Sequence, residues 1–248
     1  LMMTGIKNIL IITTPFFKNS FIRLLGDGSQ WGIKIEYKSQ KVPNGLAEAF
    51  VLGEEFIDNS PTALILGDNI FHGSNLINIY KQADRRESGA TIFAFKVNNP
   101  ENYGIVNISK SGLPLSIEEK PKEPQSNYAI TGLYFYDNTA VDKAKSITPS
   151  KRGELEITDL NKLYLKEGNI KCELFGRGAT WFDTGSIDSL NESSNYIKII
   201  ENRQGLKIGC PEEIAWRNNW INSSQLEALA KPLLNSGYGS YLLKLIED

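Results

Sequence analysis

The chain reads as an α/β protein: a mixed, mostly parallel sheet with helices on both faces, a small β-hairpin insertion and a C-terminal helical layer. Three observations predict this. Short apolar β-rich runs alternate with amphipathic stretches from about residue 8 to residue 97. A pair of runs around Ser111-Gly112 breaks that alternation. The last strong strand signal falls near Asp183, and helical patterns follow it.

Taken in order, Asn8–Thr14 (NILIITT) is a buried strand by composition, and Phe17–Leu25 is a short helix stopped by Gly26. Ile33–Lys38 is a second strand. Leu46–Phe56 places apolar residues at helical spacing after Asn44-Gly45, a start signal. Thr62–Leu66 (TALIL) is a third strand and runs straight into Gly67-Asp68-Asn69. A helix over Leu76–Arg86 and a strand over Thr91–Val97 follow. Ile105–Ile108 and Leu115–Glu119 form the hairpin, and Tyr128–Tyr136 is another strand. In Glu154–Lys166, Ile157, Leu160, Leu163 and Tyr164 share one helical face. Ile170–Phe175 and Ala179–Asp183 are strands; Ser186–Glu201 and the stretches after Pro211, Ser223 and Gly237 are helices. The expected organisation is an α/β core over 1–185 and a helical region over 186–248 that serves as an interface and a possible regulatory site.

Composition narrows the chemistry. Of 248 residues, 27 are Lys or Arg and 29 Asp or Glu, a net charge of −2, which argues against a nucleic-acid binder. No apolar run approaches the roughly 18 residues of a membrane span. A single histidine, His72, and no G-x-S-x-G elbow leave no Ser-His-Asp triad. Cys172 and Cys210 are isolated, which excludes a zinc site built on them and fits a reducing, cytoplasmic setting. The opening Leu1-Met2-Met3-Thr4-Gly5 lacks a charged leader and apolar stretch, so it is not read as a signal peptide. It reads as the end of a helix entering a strand, as though the chain begins within a fold.

Three acidic places can carry chemistry. Asp68, just past a buried strand, lies where ligands bind in open α/β folds. It can hold Mg²⁺ together with substrate phosphates, or it can cap a following helix. Trp181-Phe182-Asp183-Thr184-Gly185 repeats the pattern, and Asp183 has the same two readings; two such aspartates can share one metal. Glu118-Glu119-Lys120-Pro121 ends a strand: Lys120 suits a phosphate and Glu119 a sugar hydroxyl, or the group is a solvated strand end. Gly45, Gly104 and Gly132 are candidates for tight turns or close approach, and Arg152 is an anion ligand or a surface charge. From these residues alone the chain is an α/β protein whose acidic strand ends can bind a metal and a phosphorylated ligand.

Read together, the segments resemble the sugar nucleotidyltransferases, most closely those of the glucose-1-phosphate thymidylyltransferase type. The matching stretches are 25–32 (LGDGSQWG), 45–50 (GLAEAF), 66–71 (LGDNIF), Tyr103-Gly104, 118–121 (EEKP), 127–137 (NYAITGLYFYD), 152–159 (RGELEITD), 181–185 (WFDTG) and 203–207 (RQGLK). They run in family order over nearly the whole chain. The resemblance implies a Rossmann-like sheet and a Mg²⁺-dependent reaction of dTTP with glucose 1-phosphate, giving dTDP-glucose and pyrophosphate for dTDP-rhamnose and other deoxysugars. It implies Asp68 and Asp183 as metal ligands, with Asp68 also touching nucleotide. Gln40 and Gly45 match positions that read the thymine edge. Tyr103, Gly104, Glu119, Lys120 and Ile130 match the sugar and sugar-phosphate site, Ile130 standing where valine is common. Arg152 matches a phosphate ligand, and it and Lys120 are the residues expected to carry catalysis. Gly73, Arg177, Glu212, Glu213, Ile214 and Arg217 match a second nucleotide site at subunit contacts of a homo-oligomer, tetramer or dimer; His72 stands there where tyrosine is common.

The family also opens with a strand, a Gly-Gly-x-Gly-Thr-Arg loop, a helix and a Pro-Lys-Gln segment, which this sequence lacks. The expectation is therefore a fragment that binds nucleotide poorly, turns over little or nothing and exposes a sheet position prone to aggregation. Two rivals remain on these grounds: a UTP- or CTP-using relative, and a non-catalytic nucleotide-sugar sensor.

Overall fold

The computed structural model describes residues 1–247. The chain starts with β1 (Asn8–Thr13), α1 (Pro15–Leu25) and β2 (Lys34–Ser39). Next come α2 (Glu48–Leu52), α3 (Glu54–Ile57), β3 (Thr62–Ile65), β4 (Asn69–His72), α4 (Leu76–Asp84) and β5 (Ala90–Lys96). The hairpin is β6 (Gly104–Ile108) and β7 (Pro114–Glu119), followed by β8 (Tyr128–Tyr136), α5 (Ala140–Ser146) and α6 (Ile157–Lys166). The remainder is β9 (Ile170–Leu174), β10 (Thr180–Asp183), α7 (Ile187–Gln204), α8 (Pro211–Arg217), α9 (Ser223–Ala230) and α10 (Tyr238–Glu247). Among the described residues, no helix is long and apolar enough to cross a membrane.

Four differences from the sequence reading have local causes. The expected helix over Leu46–Phe56 is two short ones, because Gly53 closes α2 and starts α3. After Asp68 comes a strand, not a helix, because Asn69–His72 pairs antiparallel with Thr180–Asp183. α6 starts at Ile157, since the backbone of Leu155 is already bonded to Asn44 and Ala47. α5 was not expected; Ala140, Val141 and Ala144 bury one side of a helix too short to show a period.

Two compact units divide the chain: Leu1–Val42 with the chain from Glu201 onward, and Pro43–Ile200. They part at 42/43 and 200/201 rather than at 185/186. In the first unit β1 and β2 are parallel, Asn8 opposite Lys34 and Thr13 opposite Ser39. Trp31, Ile33 and Ile35 share one core with Ala215, Ile221, Leu226 and Leu242, so both ends of the sequence complete the same hydrophobic cluster.

The second unit is built on β8. It pairs antiparallel with β5 along one edge; its other edge is shared by β3, from Ile65↔Leu133 to Thr62↔Tyr136, and β6 at Ala129. β9 is parallel to β5, and β7 antiparallel to β6. Hence β3, β5, β6 and β9 run one way and β7 and β8 the other. The sheet is mixed with one prevailing direction, as the sequence suggested, but most hydrogen-bonded neighbours are antiparallel because β8 is inserted against the common direction. Period-two alternation gives it two faces. Ile92, Ala94, Ile130, Tyr134 and Tyr136 pack with α2, α3, α5 and α6 through Phe50, Ile57, Ala144, Leu160 and Tyr164. On the opposite face Phe93 meets Tyr80 of α4, Phe135 and Phe175. Each fully buried side chain of this size contributes about 1.5–3 kcal/mol, which fixes the sheet that carries the site.

Candidate active site

The two sequence-marked aspartates come together at one strand pair. Asp68 ends the turn between β3 and β4, and Asp183 ends β10, whose register sets Asn69 opposite Asp183. The backbone N–H and hydroxyl of Thr184 both donate to the Asp68 carbonyl, each at 2.8 Å, which ties the two strand ends. A side chain built on Gly185 would start 3.2 Å from Asp183 Oδ1 and 3.8 Å from Asp68 Oδ2. Both carboxylates therefore border one space, kept open by a residue without Cβ. Asp183 Oδ1 accepts from the Gly185 N–H at 3.1 Å, and Asp68 Oδ1 from the Asn69 amide at 2.8 Å. Among the described residues no hydrogen bond reaches Asp68 Oδ2 or Asp183 Oδ2. Neither aspartate caps a helix: a strand follows Asp68, and the first turn of α7 is closed by Ser186 Oγ, which accepts from the Ser189 N–H.

This donor set fits a hard divalent cation. Mg²⁺ takes one or two carboxylates and fills its other positions with water and phosphate oxygens. Among the described residues no three His, Cys, Asp or Glu side chains converge as a metal group, so a cation here would draw on oxygens from elsewhere.

A second cluster lies along β6, β7 and the start of α6. Gly104 pairs with Glu119. Alternation turns Glu119 to the same face as the buried Ile117, and there the Thr158 hydroxyl donates to Glu119 Oε2 at 2.5 Å. Arg152 makes a fork with Glu156, Nη2 lying 2.9 and 2.8 Å from its two oxygens and Nε 3.1 Å from one. Glu154 and Glu119 stand 3.7 and 3.6 Å from the same Nη2. Burial works against the Glu156 charge. The Arg152 and Ser150 hydrogen bonds and the charges of Arg152 and Lys120 outweigh it and hold the carboxyl below its ordinary range. The Arg152 guanidinium is raised in turn, first by its Glu156 hydrogen bond. Lys120 adopts φ +42° at the end of β7, and its N–H donates to the Tyr103 carbonyl.

Tyr103 links the two clusters. Its ring meets Trp181 edge-on at 5.3 Å, and its hydroxyl is raised by burial and then by the Asp183 charge. Asp68, Asp183, Tyr103, Gly104, Glu119, Lys120 and Arg152 thus belong to one assembly within the second unit. Ile130 lies in the main core at 8% exposure. Gly45, at φ +102°, runs against Leu155, where a Cβ would meet the carbonyl oxygen at 2.4 Å. Gln40 belongs to the first unit, its N–H bonded to the Thr13 carbonyl. Glu212 is buried there; its carboxylate accepts from Trp31 Nε1 at 3.2 Å and the Tyr238 hydroxyl at 2.7 Å. Arg217 and the Tyr241 hydroxyl engage Glu213, and Ile214 lies between the two in α8. Gly73 packs on the backbone of Ala179, close to the exposed Arg177. Glu156, Thr158 and Asn69 were given no role from sequence; an Arg followed by Glu at i+4 before a helix was the available signal for the first.

A family model described as nucleotidyl transferase matches residues 1–199. The chain belongs to the nucleotidyl transferase family. A glucose-1-phosphate thymidylyltransferase of Xanthomonas campestris is 52% identical over 245 residues, covering 99% of this chain and 83% of the relative. One from Neisseria meningitidis is 51% identical, covering 100% and 86%. Among solved structures, a Bacillus anthracis protein assigned as a glucose-1-phosphate thymidylyltransferase, in complex with sucrose, aligns with a TM-score of 0.73 at 34% identity, over 84% of this chain and 80% of that one. A UDP-glucose pyrophosphorylase complexed with UDP-glucose, 21% identical with a TM-score of 0.61, shares the fold alone.

Proposed function

We propose that this chain is a Mg²⁺-dependent transferase that joins dTTP and glucose 1-phosphate into dTDP-glucose and releases pyrophosphate. The convergence of Asp68 and Asp183 on one open space beside Tyr103 carries the reading, and the names of its relatives supply the substrates. An oxygen of the sugar phosphate forms the new bond to the α-phosphorus, and the bond to the bridging oxygen of pyrophosphate breaks. Such a transfer needs positioning and charge neutralisation more than covalent help, which suits a chain with one histidine.

Asp68 and Asp183 would hold the cation, whose chemistry when bound is to neutralise phosphate charge. Arg152 would turn its fork from Glu156 to the sugar phosphate, and the exposed Lys120 adds a point charge beside it. Glu119, steadied by Thr158, accepts from sugar hydroxyls, and Gly104 leaves room for the ring next to it. Gly45 would read the base, and Ile130 would back the sugar side. We place the activity in the cytoplasm, in a homo-oligomer serving deoxysugar synthesis.

Pyrophosphate release with Mg²⁺, glucose 1-phosphate and each of dTTP, UTP and CTP, measured on chains with and without the Gly-Gly-x-Gly-Thr-Arg segment, tests the reading. dTTP is expected to be used fastest. Faster release with UTP or CTP would change the base assignment. Binding of dTDP-glucose without release from any triphosphate would favour a sensor.

A further inference from the structure

Asn69 sits where the sheet loses a partner. β3 pairs with β8 as far as Ile65↔Leu133, and the Leu66 N–H still donates to the Gly132 carbonyl at 2.9 Å. The chain then turns away at Gly67, while β6 joins β8 only at Ala129. The Gly132 N–H would be left unpaired in this gap. The Asn69 side chain replaces the absent strand: its Oδ1 accepts from Gly132 N–H at 2.9 Å and from Trp181 Nε1–H at 2.6 Å. Two donors at one atom decide which end of the amide is oxygen. The Nδ2 end must then face the other way, where it donates to Asp68 Oδ1 at 2.8 Å.

We infer that Asn69 is the positioning residue of the cation site: anchored on Gly132 and Trp181, its amide holds Asp68 Oδ1 and turns Oδ2 toward the space shared with Asp183. The inference rests on the cation reading above. It also gives the residue type at 132 a cause. A Cβ at Gly132 would lie 2.7 Å from both Cγ and Oδ1 of Asn69 and 2.8 Å from Leu66 Cδ1, so a side chain there would push the amide off its anchor. Both strand ends that bring the aspartates are thereby keyed to one amide, β4 through the residue itself and β10 through Trp181. A carboxylate whose unused oxygen is preset loses less freedom on taking up a cation, and partners of this kind are commonly worth about 10- to 100-fold in metal affinity.

The test is Mn²⁺ binding to the chain as encoded, followed by the loss of free Mn²⁺ signal in electron paramagnetic resonance, with thermal melting as the check on folding. Asn69→Ala is expected to weaken Mn²⁺ about 10- to 100-fold. Asn69→Asp keeps the acceptor for Gly132 and Trp181, and so the joint, but loses the donor; it too is expected to bind Mn²⁺ more weakly, although its added negative charge alone would tighten binding. Unchanged or tighter Mn²⁺ binding in a folded variant overturns the positioning role. Asp68→Asn separates the two readings. If it binds Mn²⁺ as the parent does, the cation site itself is lost; if it abolishes binding while both Asn69 variants bind normally, only the positioning inference falls.

Discussion

The two ends of the candidate site are prepared in opposite ways. Asp68 and Asp183 each keep an oxygen that no hydrogen bond reaches among the described residues, and Gly185 keeps the space between them open. Arg152, by contrast, has three carboxylates within 4 Å, one of them in a two-pronged fork. The acidic end is held in readiness for a cation, whereas the basic end is already neutralised from within. A sugar phosphate must therefore take Arg152 over from Glu156, Glu154 and Glu119. The guanidinium is about half exposed but Glu156 is only 10% exposed, so that exchange leaves a largely buried carboxylate short of its main partner, a cost that the phosphate contacts must exceed. An anion thus meets a preset geometry without a standing positive charge, and net attraction waits on Lys120 and the cation.

The largest expected effect breaks the acidic end. Asp183→Asn should lower turnover by about 10²-fold or more, the loss of several kcal/mol of charge stabilisation, with an unchanged melting curve. Full activity in a pyrophosphate assay would remove Asp183 from the site. Gly45→Ala strikes the other end through the backbone, since Leu155 lies between Glu154 and Glu156. With a positive φ and a Cβ 2.4 Å from a carbonyl oxygen, it should cost about 3 kcal/mol in urea denaturation. Arg152→Lys keeps the charge but loses the fork; the KM for glucose 1-phosphate should rise roughly tenfold with less change in kcat. An unchanged KM would mean that the phosphate never takes the guanidinium from Glu156.

Acid sharpens the same contrast. The Glu156 carboxyl lies below its ordinary 4.5 in the folded chain, so the unfolded chain binds that proton more readily. Its stabilisation is complete above about 4.5 and is lost as pH falls through the lower folded value. Glu156→Gln should flatten the fall in melting temperature below pH 5, and an unaltered slope would show that Arg152 does not hold the charge. The smallest effect is a control: Lys145→Ala removes an exposed pair with Glu54 and should change stability by no more than about 0.5 kcal/mol.

Much of this was legible along the chain. Apolar runs such as TALIL and YAITGLYFY gave strands where strands are found: the second is buried almost throughout and declares itself by composition, and the first is half-buried but as apolar. Asp68 and Asp183 stood out because each follows such a run. The Asn69–His72 strand was hidden: four residues carry no period, and only pairing with β10 makes them a strand. The anchor at Gly132 was hidden for the same kind of reason, since a glycine kept free for a neighbouring amide looks like any turn glycine until that neighbour is seen.

By itself the sequence determined the class of fold, the order of most of its elements and the acidic strand ends, because burial and backbone preference act over a few neighbouring residues. The tertiary structure alone decided that β8 runs against the sheet, that both ends of the chain close one core, and that two carboxylates 115 positions apart in sequence border one space. Those outcomes depend on which distant backbone groups find each other's hydrogen bonds, and no local pattern of side chains encodes that choice.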